Sequence, residues 1–167
     1  MQGIPYQNIA SSMFQMPQQD EDIRHYTLDL LPTGHTLTMN ILLGTVSLIA
    51  RDESLPYPRM IAEQQFTLSE ASLLIPLLNA YPYYCPYEVM LASFDHRLIT
   101  DATIERCRRR LQEAQEEGVW DSAMRPVRNV LSRTRLKMRN VGIEIASILE
   151  IGYCLMALPT RKQFGAS

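Results

Sequence analysis

Apolar side chains occupy every second position of Thr36-Leu37-Thr38-Met39-Asn40-Ile41, the spacing of a strand with one covered face. Runs of similar character lie at 25–30, 36–43, 45–51 and 60–67, punctuated by Pro32-Thr33-Gly34, Gly44 and Pro56-Tyr57-Pro58. Breakers at those intervals predict an antiparallel meander packed on one side. The period then changes. Ala71, Leu73, Leu74, Leu77 and Leu78 follow Thr67-Leu68-Ser69-Glu70, a T-x-x-E capping box. Together they predict a helix of about a dozen residues. Pro76 lies inside it and removes the hydrogen bond to Ser72, so a kink is expected there.

Past this helix, Tyr81-Pro82-Tyr83-Tyr84-Cys85-Pro86 reads as a stiff aromatic turn, with Pro86 suited to the first turn of a second helix over 87–94. Its tyrosines either pack the corner between two helices with their hydroxyls in water, or offer a partner-binding patch through Tyr83 and Tyr84. A third helix over 102–117 is expected, capped by Thr100 or Asp101 and stopped by Gly118. Ile104, Cys107, Leu111 and Ala114 form its apolar stripe, and Arg106, Arg108, Arg109 and Arg110 lie opposite. Glu113, Glu116 and Glu117 follow within a turn, which favours intrahelical pairing and solvation. The other reading is that Arg106, Arg109 and Arg110 touch DNA or a protein partner.

Charge changes the picture most at 124–141. Arg125, Arg128, Arg133, Arg135, Lys137 and Arg139 give this run +6 with no acid, while the whole chain carries −2, so the remainder carries −8. Val127, Leu131, Thr134 and Met138 recur at i, i+4, i+7 and i+11, one side of a helix. Arg125, Arg128, Asn129, Ser132, Arg135 and Arg139 fall on the other side. Such a helix is either a solvated basic surface or a face that grips a polyanion. After it, 143–147 alternates like a strand and 152–158 reads as its return, with a tip at 147–151. Pro159, Arg161 and Lys162 close the fold. The first 22 residues show no sustained period and read as a flexible tail in which Tyr6, Ile9, Met13 and Phe14 could anchor.

Composition narrows the functional classes. At 167 residues the chain suits one domain. It has neither a membrane-length apolar run nor a basic-then-apolar leader, so a cytoplasmic protein off the membrane is expected. Cys85, Cys107 and Cys154 are scattered, and His25, His35 and His96 lack ligand spacing, so neither a metal nor a cofactor is expected. There is no G-x-S-x-G, P-loop or G-x-G-x-x-G motif. Ser69/Glu70 and Asp95/His96 are isolated polar pairs, and the chain does not read as an enzyme.

The order of these elements resembles the OmpR/PhoB-type winged-helix DNA-binding domain. Phe66-Thr67-Leu68-Ser69-Glu70-Ala71-Ser72-Leu73-Leu74 matches that family's first-helix motif. Val127, Leu131, Arg133, Arg135, Lys137, Met138, Gly142, Ile145, Gly152-Tyr153 and Leu155 match its third helix and wing, and the similarity covers roughly 36–158. The resemblance implies an α+β winged helix-turn-helix with an N-terminal antiparallel sheet, a three-helix core and a C-terminal hairpin wing. The domain would span 23–160, with an inserted helix in an insertion at about 95–122 and short tails at 1–22 and 161–167.

It further implies a transcription regulator that reads double-stranded DNA with helix 124–138. Arg128, Asn129, Ser132 and Arg133 would face base edges or nearby phosphates. Arg125, Arg135, Lys137 and Arg139 complete the cationic face, with Arg135 and Arg139 assigned to the phosphate backbone. Thr67 or Ser69 would add a phosphate contact at the first helix's N-terminus. RNA polymerase is an implied second partner, as is a homodimer on repeated half-sites. A protein-interaction module with little DNA contact is the competing reading, favoured by the acidic remainder and the Tyr-rich corner. The chain departs from the family in three ways: no receiver domain precedes the motif, Glu150 sits at the wing tip, and about twenty extra residues separate the second and third family helices.

Overall fold

The structure, a computed structural model, describes residues 22–96 and 98–159. It is α+β, with two antiparallel sheets and four helices among the described residues. The first sheet is a meander of β1 (Ile23–Tyr26), β2 (His35–Asn40), β3 (Thr45–Ala50) and β4 (Arg59–Gln65), each strand paired with the next. Then come α1 (Leu68–Ala80), β5 (Cys85–Pro86), α2 (Tyr87–Asp95), α3 (Asp101–Glu116) and α4 (Trp120–Arg139). A hairpin of β6 (Ile143–Ile148) and β7 (Gly152–Ala157) ends the fold, and β5 pairs with β7 to make a three-stranded sheet. The expected tail and the basic Arg161 and Lys162 lie outside the described residues.

The alternation in β2 survives intact. Leu37 and Met39 are fully buried, facing Leu48 and Val46 of β3 in register. The strands are shorter than their apolar runs, for local reasons. After Tyr26 the chain turns, Leu31 N–H donating to Leu28 O, and the turn buries both leucines. At the end of β2, Asn40 accepts from Leu43 N–H through its side chain and from Gly44 N–H through its carbonyl. Gly44 holds φ +68, and a Cβ there would meet Phe66 O at 2.5 Å, so glycine serves both the turn and the close approach.

Helix α1 runs unbroken through the buried Pro76. Its capping box is only half made: Thr67 Oγ1 accepts from Glu70 N–H at 3.3 Å, but Glu70 sends its carboxylate elsewhere. The expected aromatic turn hides a strand. Cys85 and Pro86 pair with Tyr153 and Gly152, and a Cβ on Gly152 would lie 2.0 Å from Cys85 O. Only glycine lets these backbones meet. Nor do the corner tyrosines all face water. The Tyr81 hydroxyl accepts from Leu30 N–H, and the Tyr87 hydroxyl donates to Ile148 O.

Helix α3 is not a loose appendage: Cys107 and Leu111 enter the same core as Leu73, Leu77, Met90 and Leu131. Its N-terminus is closed by a reciprocal box between Thr100 and Thr103. Helix α4 starts four residues before the expected 124, because Trp120, Met124 and Val127 extend the inward seam backward at i, i+4 and i+7. One hydrophobic cluster joins both sheets and the helices, so every surface element below is held on a packed scaffold.

Candidate functional site

Helix α4 buries Met124, Val127, Val130, Leu131, Thr134 and Met138 and turns its other side outward. Thr134 is the one polar member of that seam, and its hydroxyl donates to Val130 O. At twenty residues the rod is about 30 Å long. Its six cations divide by position. Along the first fourteen residues of the rod, Arg125, Arg128 and Arg133 are exposed, together with Asn129 and Ser132. Arg125 and Arg133 enter no ion pair among the described residues. Arg128 lies 2.9 Å from Asp121, whose side chain is 78% exposed. Its guanidinium also covers the Trp120 ring at 5.0 Å. The Ser132 hydroxyl is spent on Arg128 O.

Towards the C-terminal end the cations are committed to the protein. Arg135 donates through Nε to Ile145 O at 2.8 Å and lies near Ser147, riveting the helix to β6. Arg139 holds Glu144 at 2.8 Å. Lys137 reaches Glu70 Oε2 at 2.8 Å and lies 5.5 Å from the Phe66 ring centre. Glu70 is 2% exposed and that oxygen has no aligned hydrogen bond, so Lys137 is its cation in an ion pair. Cations held by other elements of the fold, and cations that are unpaired or paired only with the helix's own exposed Asp121, therefore share one helix. Thr67 lies near the paired end, far along the rod from Arg125.

Two further residues matter that periodicity alone did not single out. Leu136 is 62% exposed in the middle of the outward face. Trp120 packs edge-on against Tyr87 at 5.0 Å, and Tyr87 against Tyr153 at 5.4 Å. Burial, and then the neighbouring Tyr87, raise the Tyr153 phenol above its ordinary value. Trp120 and Tyr87 wall a groove of about 570 Å³ between α4 and the hairpin tip, shared with Arg128 and Leu149. The tip itself is Leu149-Glu150-Ile151, with Leu149 85% exposed and Glu150 in the left-handed region at φ 63.

The arginines of α3 are also divided. Arg108 pairs with Glu88 of α2 and with Glu105, and Arg110 with Asp95. The acids expected to pair within the helix, Glu113, Glu116 and Glu117, take no part among the described residues. Arg106 and Arg109 are exposed and unpaired there. Tyr83 and Tyr84 are exposed on the corner before α2, away from these arginines in sequence. Cys85 is buried, and burial first, then Glu88, push its thiol up to about 12, which disfavours the thiolate. Among the described residues no cluster of His, Cys, Asp or Glu could hold a metal, and no helix is long and apolar enough to cross a membrane. Compared with protein-family models, curated proteins and solved structures, the chain matches none.

Proposed function

We propose that the chain is a sequence-specific regulator of transcription that binds double-stranded DNA as a winged helix, with α4 in the major groove. The observation that carries this reading is the outward face of α4 around Arg125, Asn129 and Arg133, where cations and hydrogen-bonding groups stand exposed and the one acid, Asp121, pairs with Arg128 alone. A helix of this width enters the major groove, and bidentate guanidiniums and amides read base edges there. Arg128, Asn129 and Arg133 take the base-reading role, with Ser132 beside them, and Arg125 takes a phosphate. Asp121 is no obstacle, because so exposed a pair gives way readily to phosphate. Arg135, Lys137 and Arg139 hold the scaffold together through Ile145, Glu70 and Glu144. The order of helices, with a hairpin returning beside α4, also fits the OmpR/PhoB-type resemblance. The acidic tip argues against phosphate contact by Glu150.

A second reading has its own support. Leu136 is exposed on the basic face and Leu149 at the hairpin tip, and a surface that docks RNA polymerase or another regulator would use them. A DNA titration across salt separates the two. Release of counterions from about three phosphates gives a log–log slope near −3. Binding that is flat in salt, or absent for every duplex in a random library, rejects the DNA reading and leaves the protein-docking one.

A further inference from the structure

Helix α3 carries a charged stripe that no ion pair among the described residues answers. Arg106, Arg109, Glu113, Glu116 and Glu117 recur at i, i+3, i+7, i+10 and i+11, which places them along one side of the helix. All five are exposed, and the buried side is made by Thr103, Cys107, Leu111 and Ala114. Among the described residues none of the five joins an ion pair, although the neighbouring Arg108 and Arg110 both do. The stripe is sorted along the axis, bases first and acids last.

Within one molecule that order is unfavourable twice. Base before acid at i, i+4, as in Arg109 and Glu113, is the weaker orientation for an intrahelical pair. The last turn holds no base, so its carboxylates crowd the end where unpaired carbonyls already gather negative potential. A second copy laid antiparallel removes both faults. A two-fold axis near Leu111 sets Arg109 opposite Glu113, and Arg106 opposite Glu116 and Glu117, with each pairing occurring twice. Exposed Leu98 and Ile99 lie just before the helix and Val119 just after it, so the same operation brings the apolar ends of the two copies towards each other.

We infer that α3 is a self-recognition face, and that its partner is the α3 stripe of a second copy of this chain, docked antiparallel. A duplex is the wrong occupant, because the glutamate half repels phosphate. A purely acidic peptide leaves that half unanswered as well. The inference goes beyond the DNA reading and uses none of the outward residues of α4. Charges at a rim give specificity and speed more than affinity, so the dimer exchanges quickly and is sensitive to salt.

Sedimentation of the full chain at low salt should show a mass that climbs towards two chains with concentration. It should return to one chain in about 1 M salt, where the Debye length is about 3 Å. R106E/R109E and E113R/E116R/E117R should each remain single chains at low salt. Mixed in equal amounts they should form a two-chain species at lower concentration than the unsubstituted protein, since one stripe is then wholly acidic and the other wholly basic. The gentler couple R106E and E116R repeats the swap should a multiple variant fold poorly, as judged by its circular dichroism. A single-chain mass for the unsubstituted protein at low salt overturns the inference. So does a mixture that stays monomeric, or a variant that dimerises unchanged. R133A, which weakens DNA binding under the reading above, should leave the dimer intact, so the two ideas fail separately.

Discussion

Helices α3 and α4 are neighbours in sequence and both rich in arginine, yet they distribute charge along different directions. On α3 the sorting runs along the axis, from Arg106 and Arg109 to Glu113, Glu116 and Glu117. On α4 it runs across the axis, with a greasy seam on one side and cations on the other, and Asp121 as the helix's only acid. A rod with two ends of opposite sign complements an inverted copy of itself. A rod with one charged side complements a polyanion. Counting arginines would have treated the two alike. The placement of their acids tells them apart, and within α4 it again separates the exposed cations from the internally paired ones.

The largest test of that second separation is thermodynamic. Lys137→Ala leaves the buried Glu70 carboxylate without its cation, and removing one partner of a buried pair costs up to 3–5 kcal/mol. Lys137 is itself 29% exposed, so a loss of about 2–4 kcal/mol is expected after allowing for water at the ammonium. Arg133→Ala should move stability by less than about 0.5 kcal/mol, as surface substitutions do. Urea unfolding of the two variants measures both. Equal effects would erase the distinction between structural and exposed cations.

Next in size is the same pair read through DNA. Arg133→Ala should weaken specific binding by about 1–3 kcal/mol if it meets a base edge, roughly five- to 150-fold. Arg139→Ala, whose guanidinium is held by Glu144, should cost several-fold less. Anisotropy titrations against one selected duplex give the ranking. If Arg139→Ala weakens binding more than Arg133→Ala, the face has been assigned to the wrong end of the rod.

Which parts of this were legible in the residues follows from range. The alternation of β2, the N-cap at Thr67 and the inward seam of α4 are local, and their periods report them directly. The strand at Cys85–Pro86 is two residues long and exists only because Gly152 and Tyr153 arrive from the other end of the domain. No window around Cys85 contains that information. Glu70 is the instructive case. Its spacing from Thr67 spells a capping box, but a base sixty-seven positions away claims the carboxylate. The start of α4 is local as well, since Trp120 continues the seam. Which arginines stay unpaired was not readable, because Glu144 and Asp95 meet theirs only after the chain has folded.

The smallest effect concerns the acid that interrupts α4's uniform sign. Asp121 lies in the first turn, where a carboxylate suits the positive end of the helix dipole, and it also holds Arg128 at 2.9 Å. Both roles are surface effects, so Asp121→Asn should change stability by less than about 1 kcal/mol. Towards a polyanion the same carboxylate is a repulsive neighbour and a competitor for Arg128. Its neutralisation leaves the guanidinium held by the Trp120 ring and the Tyr153 hydroxyl. DNA affinity should therefore rise, by about threefold at low salt, with the salt slope nearly unchanged, since Arg128 is assigned to a base edge and not to a phosphate. Combined with Arg128→Ala the gain should vanish, since nothing is left to release. A gain that persists in the double variant would mean that Asp121 acts by repelling DNA from a distance. Weaker binding by Asp121→Asn would mean instead that the carboxylate positions Arg128 for the duplex, and the sign reading of α4 would have to be reversed at its first turn.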